Sequence, residues 1–241
     1  MILCLETSTK VCSAAVGHNG KILALKESSD EKFSHAENLT IFIEEVCSQA
    51  NISLKNIDAA AVSKGPGSFT GLRIGVSTVK GLCYALEKPL IAVNSLEAMA
   101  AGCRHQSSVT SHQSLFCPMI DAKRMEVYCA VYDEQLKEIK KTSAEIIDEN
   151  SFFDLLEKNK IYFFGDGSEK CKSKIKHPNA VFLDNVNPSA QFLYPIAEKY
   201  FTAKRFEDLA YFEPFYLKDF VGTKLPLPEG GAGAILQFRT S

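Results

Sequence analysis

The sequence predicts an α/β fold built twice in tandem, and three observations predict it. Three strand-like runs, Ile2–Leu5, Val11–Val16 and Lys21–Glu27, precede an amphipathic helix and a further strand. The same order returns in the second half, beginning with Phe116–Ile120 and Met125–Tyr132. Between them, a buried-strand pattern at Ile57–Ser63 runs straight into Gly65-Pro66-Gly67 and then a helix.

Taken in order, the first three runs read as an antiparallel meander, joined by Glu6–Lys10 and by the turn signal His18-Asn19-Gly20. Ser34-His35-Ala36-Glu37 supplies a capping box, and Leu39, Phe42, Ile43, Val46, Cys47 and Ala50 follow at helical spacing. Gly65 and Gly67 permit positive φ or close backbone approach, while Pro66 fixes its own φ and ends regular pairing. The loop reads as a tight turn that packs a helix on a sheet and, equally, as a weak anion site at a helix N-terminus. It lacks the Gly-Lys-Ser/Thr ending of a phosphate-cradling Walker loop. A helix from about Phe69 to Leu86 follows, then a short strand Leu90–Val93 introduced by Pro89.

From Gly102 to Ser114 the composition turns to Ser, Gln, His and Thr, which divides the chain into an N-terminal half, 1–101, and a C-terminal half, 102–221. The second half continues with a strand near Leu136–Lys141, a helix Phe152–Lys158, a strand Ile161–Phe164 and the loop Gly165-Asp166-Gly167; a helix at Ser189–Lys204 closes the core. Two copies of meander, helix and strand suggest the duplicated ribonuclease-H-like architecture of the actin, Hsp70 and sugar-kinase superfamily, two similar subdomains of mixed sheet flanked by helices. Residues 222–241, rich in Pro and Gly, read as a flexible tail.

At 241 residues and 46% hydrophobic, the chain can bury a sizeable core. Its 27 Lys and Arg are matched by 29 Asp and Glu, so no basic face for unaided nucleic-acid binding is expected. The eight cysteines never lie closer than eight residues, which removes any CxxC pair for zinc or disulfide exchange. No charged leader and no apolar run of about 20 residues is found, so the expectation is a reduced, cytoplasmic protein without a membrane partner.

The segment Ser63-Lys64-Gly65-Pro66-Gly67-Ser68-Phe69-Thr70-Gly71-Leu72-Arg73-Ile74-Gly75 resembles the signature of the TsaB (YeaZ) family. Ile2–Ser8, Asp121–Tyr128 and Glu213-Pro214-Phe215-Tyr216-Leu217-Lys218 resemble that family's opening strand, second-half hairpin and C-terminal motif. The resemblance implies a partner of the paralogous TsaD family in making threonylcarbamoyladenosine, t6A, at adenosine 37 of tRNAs reading codons that begin with A. It also implies a TsaE-like ATPase, a separately supplied threonylcarbamoyl-adenylate, and a homodimer when the chain is alone, with tRNA met only through the complex.

In ATP-using members of the superfamily the first turn meets metal and phosphate; here Glu6, Thr7 and Ser8 occupy it. They read as a weak, degenerate nucleotide or metal turn and, as readily, as a hairpin turn whose carboxylate accepts from backbone amides. No tightly bound cofactor is expected, and nucleotide only in the assembled complex. Asn94-Ser95-Leu96-Glu97-Ala98-Met99 resembles the TsaD segment whose two histidines, four residues apart, ligate a metal. Ser95 and Met99 stand at those positions, and a hydroxyl and a thioether do not replace two imidazoles. None of the five histidines pairs with a Cys or Glu at ligand spacing, so no catalytic or metal residue is assigned.

In the helix from Phe69, Gly71, Gly75, Thr78 and Gly81 to Ala85 form a small stripe beside Leu72, Val76, Val79, Cys83 and Leu86. In the resembling family this helix and the preceding one, through Leu39, Phe42, Ile43 and Val46 here, pair with the same elements of TsaD or of a second copy; the alternative is that both stripes serve the internal core. The functional expectation is a non-catalytic subunit of a tRNA threonylcarbamoyltransferase complex. The alternative is a catalytically active superfamily member, a small-molecule kinase or a metallopeptidase.

Overall fold

The computed structural model describes residues 1–29, 35–104 and 114–218. The first sheet contains β1 (Ile2–Glu6), β2 (Cys12–His18), β3 (Lys21–Ser28), β4 (Ala59–Gly65) and β5 (Leu90–Asn94), in the order β3-β2-β1-β4-β5. The meander pairs are antiparallel, and β1 with β4 and β4 with β5 are parallel. The second sheet repeats this in the order β10-β9-β6-β7-β8. Its strands are β6 (Ser114–Asp121), β7 (Glu126–Tyr132), β8 (Glu138–Ile146), β9 (Lys160–Phe164) and β10 (Ala180–Phe182). Two identical strand orders, meander first and parallel strands after, are the duplicated ribonuclease-H-like fold.

The alternation of strand side chains divides the first half's core in two. Leu3, Leu5, Ala60 and Val62 face α1 (His35–Gln49) and α2 (Phe69–Leu86), meeting Leu39, Val46, Val76 and Val79. Ile2, Cys4, Ala59 and Ala61 face the opposite way, onto Ala190, Leu193 and Ala197 of α6 (Ala190–Thr202). Thus α6, from the end of the second half, crosses back to cover the first sheet. Gly17 makes the contact close: a Cβ there would lie 2.2 Å from the Tyr194 ring, which no structure tolerates.

Other differences have local causes. Helix α3 (Ser95–Arg104) runs past Gly102, where the polar composition begins; a Cβ at 102 would sit 2.5 Å from Phe192, so this glycine lets α3 touch α6. A 3-10 turn, Leu54–Asn56, takes Ile57 and delays β4 to Ala59. Leu136, with φ of 61°, sits in the β7–β8 turn, and β8 starts at Glu138. Helix α4 shrinks to Phe153–Leu156 behind a left-handed Phe152. The four-residue helix α5 (Ser168–Cys171) and the three-residue β10 carry too few residues for a periodic signal. Ser34 of the capping box and the tail 222–241 lie outside the described residues.

Candidate functional site

The β1–β2 turn is buried: Glu6, Thr7 and Ser8 have no exposed surface. Glu6 faces inward, its Oε1 accepting from Ser8 N at 2.6 Å and from Ser63 Oγ at 2.8 Å. Burial pushes this carboxyl above the usual range, and the hydrogen bonds from Ser8 and Ser63 only partly counter it. Oε2 has no partner. Thr7 turns to α2, donating from Oγ1 to the Gly71 carbonyl at 2.8 Å. Of the three residues read as a nucleotide turn, only Ser8 reaches the cleft described below. Glu6 instead ties β1 to β4 beneath the turn.

The glycine loop owes its composition to this turn. A Cβ on Gly67 would lie 2.2 Å from the Ser8 carbonyl oxygen, and one on Gly71 2.0 Å from that of Thr7. Ser68 caps α2 by accepting from Gly71 N at 3.2 Å, and its own N–H donates to Ser8 O at 2.6 Å. Positive φ is needed at Gly65, at 110°, and not at Gly67. The Gly65-Pro66 peptide bond is cis. The second half repeats the device after β9, where Gly165 has φ of 98° and a Cβ would lie 2.3 Å from Met119 O.

Duplication thereby sets two equivalent turns opposite each other across a cleft of about 510 Å³. One wall is Ser8, Thr9, Lys10, His35 and the start of α2; the other includes Asp121, Lys123, Tyr128 and Asp166. Ser8 lines the near wall with its side chain wholly buried beneath the turn, next to Glu6. On the far wall, Lys170 Nζ binds Asp121 and the Glu126 carbonyl. Burial raises the Asp121 carboxyl, but Lys170 outweighs it and holds the group below its ordinary range. Asp166 accepts from Asp121 N at 3.0 Å, and burial, with the Asp121 charge added, raises its carboxyl. Sequence reading marked the hairpin 121–128 and the loop 165–168 but not Lys170; the signal available was that β6–β7 occupies the place of β1–β2 in the repeat.

Ser95 and Met99, read above against a metal-binding segment, offer no metal site. Ser95 and Met99 are wholly buried, Ser95 Oγ is unpaired, and the Met99 methyl packs against Gly165. Among the described residues no cluster of three His, Cys, Asp or Glu side chains is placed to hold one.

The residues read as a partner face are core. Leu39, Phe42, Ile43 and Val46 of α1, and Gly71, Leu72, Gly75, Val76 and Val79 of α2, are all buried, with Thr78 half-buried. Gly75 faces the sheet, where a Cβ would lie 2.3 Å from Thr7 Oγ1. This part of the small stripe serves packing of α2 on the turn, so the inward reading wins for these residues. The structure splits the stripe: Gly81 and Ala85, with Ser77, are exposed on the outer face of α2. A Cβ at Gly81 would meet nothing within 4 Å. Tyr84 of the same helix is 80% exposed, and Ile41 of α1 is 51% exposed.

The family model described as "TsaD: tRNA N6-adenosine threonylcarbamoyltransferase" matches residues 29–219. The tRNA threonylcarbamoyladenosine biosynthesis protein TsaB of Haemophilus influenzae is 28% identical over 235 residues, covering 92% of this chain and 95% of its own. That of Buchnera aphidicola subsp. Schizaphis graminum is 30% identical over 207 residues, covering 78% and 96%. The structure of YeaZ from Pseudomonas aeruginosa aligns with a TM-score of 0.76 at 25% identity, over 90% of this chain and 99% of that one. Because this likeness runs through both sheets and the turns that face each other between them, the chain belongs to the TsaB (YeaZ) family of tRNA threonylcarbamoyladenosine biosynthesis proteins, within the broader threonylcarbamoyltransferase family.

Proposed function

We propose that this protein is a cytoplasmic, non-catalytic subunit of the machinery that transfers a threonylcarbamoyl group to adenosine 37 of tRNA. The observation that carries the reading is the burial of Ser95 and Met99 at the positions where the resembling TsaD segment has metal-binding histidines. A wholly buried hydroxyl and thioether offer no metal to substrate. The cleft supports the same reading: the Ser8 hydroxyl in its near wall is wholly buried and so offers no accessible nucleophile.

The protein acts by holding a TsaD-like catalytic subunit, with a TsaE-like ATPase joining the assembly and tRNA bound through the complex. The holding surface is the outer face of α2 and α1, where Ser77, Gly81 and Ala85 let a partner helix approach closely and Tyr84 and Ile41 are exposed. Alone, the chain pairs through the same face with a second copy, which the partner displaces. Nucleotide enters only in the assembled state.

Gly81→Glu tests the surface. The new side chain points into open space, so the monomer folds. Its charge is buried only on assembly, which costs about 3 kcal/mol, or on the order of 100-fold in affinity. Gly75→Glu, in contrast, strikes Thr7 and unfolds the first half. Co-elution with a TsaD-like protein and a tRNA modification assay with each component omitted read the outcome. A Gly81→Glu chain that still co-elutes and supports modification removes the surface. Modification proceeding without this chain removes the function.

A further inference from the structure

The C-terminal motif is the one segment singled out in the sequence that neither the cleft nor the partner face has absorbed. After α6 the chain returns along the outside of the first half. Glu207 N donates to Leu90 O at 2.9 Å, at the edge of the sheet. Lys80 of α2 donates from Nζ to the carbonyls of Ala210 and Phe212 at 3.2 and 3.0 Å, and Leu209 and Phe212 pack on the first core. Phe215 N donates to Lys64 O at 2.7 Å, and the Phe215 carbonyl fills the space that a side chain on Gly65 would need.

Beyond this point the segment spans both halves. Tyr216 packs on Phe69, the first residue of α2, with ring centroids 4.9 Å apart, and Arg73 covers the Phe69 ring at 4.0 Å. Two residues later, Lys218 pairs with Glu126 at the start of β7. Glu126 lies between Lys123 and Tyr128 in the hairpin that lines the far wall of the cleft. One end of the motif is therefore fastened to the near wall and the other to the far wall.

We propose that residues 205–218 form a releasable clasp that sets the opening of the cleft between the two halves. The run up to Phe215 is the fixed part, anchored by backbone hydrogen bonds and by Leu209 and Phe212. Tyr216 and Lys218 are the catch. Lys218 is 40% exposed and Tyr216 36%, so the catch is open to solvent, and its ion pair is of the kind that salt weakens. A catch of that strength closes and releases within one folded chain. It operates with or without a partner, so it can fail while the proposed function stands.

Labels at Thr40→Cys on α1 and Lys158→Cys beyond α4, both exposed, report the separation of the halves by pulsed spin–spin distance measurement in the full chain. All eight native thiols are buried and do not compete for the label. Lys218→Glu should move the distances to longer values and broaden them. The double variant Glu126→Lys with Lys218→Glu should restore the native distribution. Tyr216→Ala should open the halves as Lys218→Glu does, and added salt should widen the native chain but not the single variants. Circular dichroism checks that each variant stays folded. Distances unchanged in both Lys218→Glu and Tyr216→Ala would overturn the clasp, and an opening that the charge swap does not reverse would overturn the ion pair as its catch.

Discussion

Glu6 shows how a residue type that signals metal or phosphate chemistry can serve the fold instead. Its carboxylate holds the Ser8 amide and the Ser63 hydroxyl, and its second oxygen meets nothing. Burial raises its folded pKa above the unfolded value. The folded chain thus keeps the proton to higher pH than the unfolded chain does. The stability Glu6 contributes is full below the unfolded carboxylate pKa and is lost as pH rises through the folded value. Glu6→Gln cannot ionise, so its melting temperature relative to the native chain should climb as pH rises above the ordinary carboxylate range. A difference that stays flat as pH rises would mean that Glu6 is not a buried titrating group.

At the scale of the element, α2 is placed by what its glycines lack. Gly67, Gly71 and Gly75 allow its first turns to lie directly on the β1–β2 turn, with Thr7 and Ser8 as the floor. Gly71→Ala should cost about 1–3 kcal/mol, because a methyl group 2.0 Å from a backbone carbonyl cannot be relieved by a rotamer change. Chemical denaturation measures this, and a midpoint like that of the native chain would show that the helix start can shift freely. The same substitution at Gly81, where nothing lies within 4 Å, should leave stability equal or slightly higher, since alanine favours helix. The 3.6-residue spacing of Leu39, Phe42, Ile43 and Val46 was legible as a helix, and the span of α2 was legible from Phe69 to Leu86. Which stripe of α2 faced outward was not, because Gly71 and Gly75 look alike in sequence whether a neighbouring helix or their own chain's turn fills the space above them.

For the whole molecule, two sheets of one topology, joined by α3 and by the return of α6, bring two equivalent turns face to face. The cores on either side contain all eight cysteines. Burial pushes the Cys12, Cys83 and Cys171 thiols up to about 11 and Cys103 up to about 12, so the reactive thiolate is scarce at neutral pH. The native chain should therefore show no fast-reacting thiol toward a disulfide reagent, and all eight should react once denaturant unfolds it. One thiol that reacts at the rate of a free cysteine in the native chain would place a cysteine at the surface.

By itself, the sequence determined the strands, the long helices and the tandem order, because apolar periodicity and Gly/Pro turns are local properties of the chain. Only the tertiary structure decided that α6 of one half covers the sheet of the other, that Glu6 points beneath its turn, and that the motif ending at Lys218 spans the cleft. Each of these rests on contacts between residues far apart in the chain, such as Gly17 with Tyr194, Glu6 with Ser63 and Glu126 with Lys218. Local spacing carries no information about such pairs; they are chosen by the space left when two sheets and their helices close around shared cores.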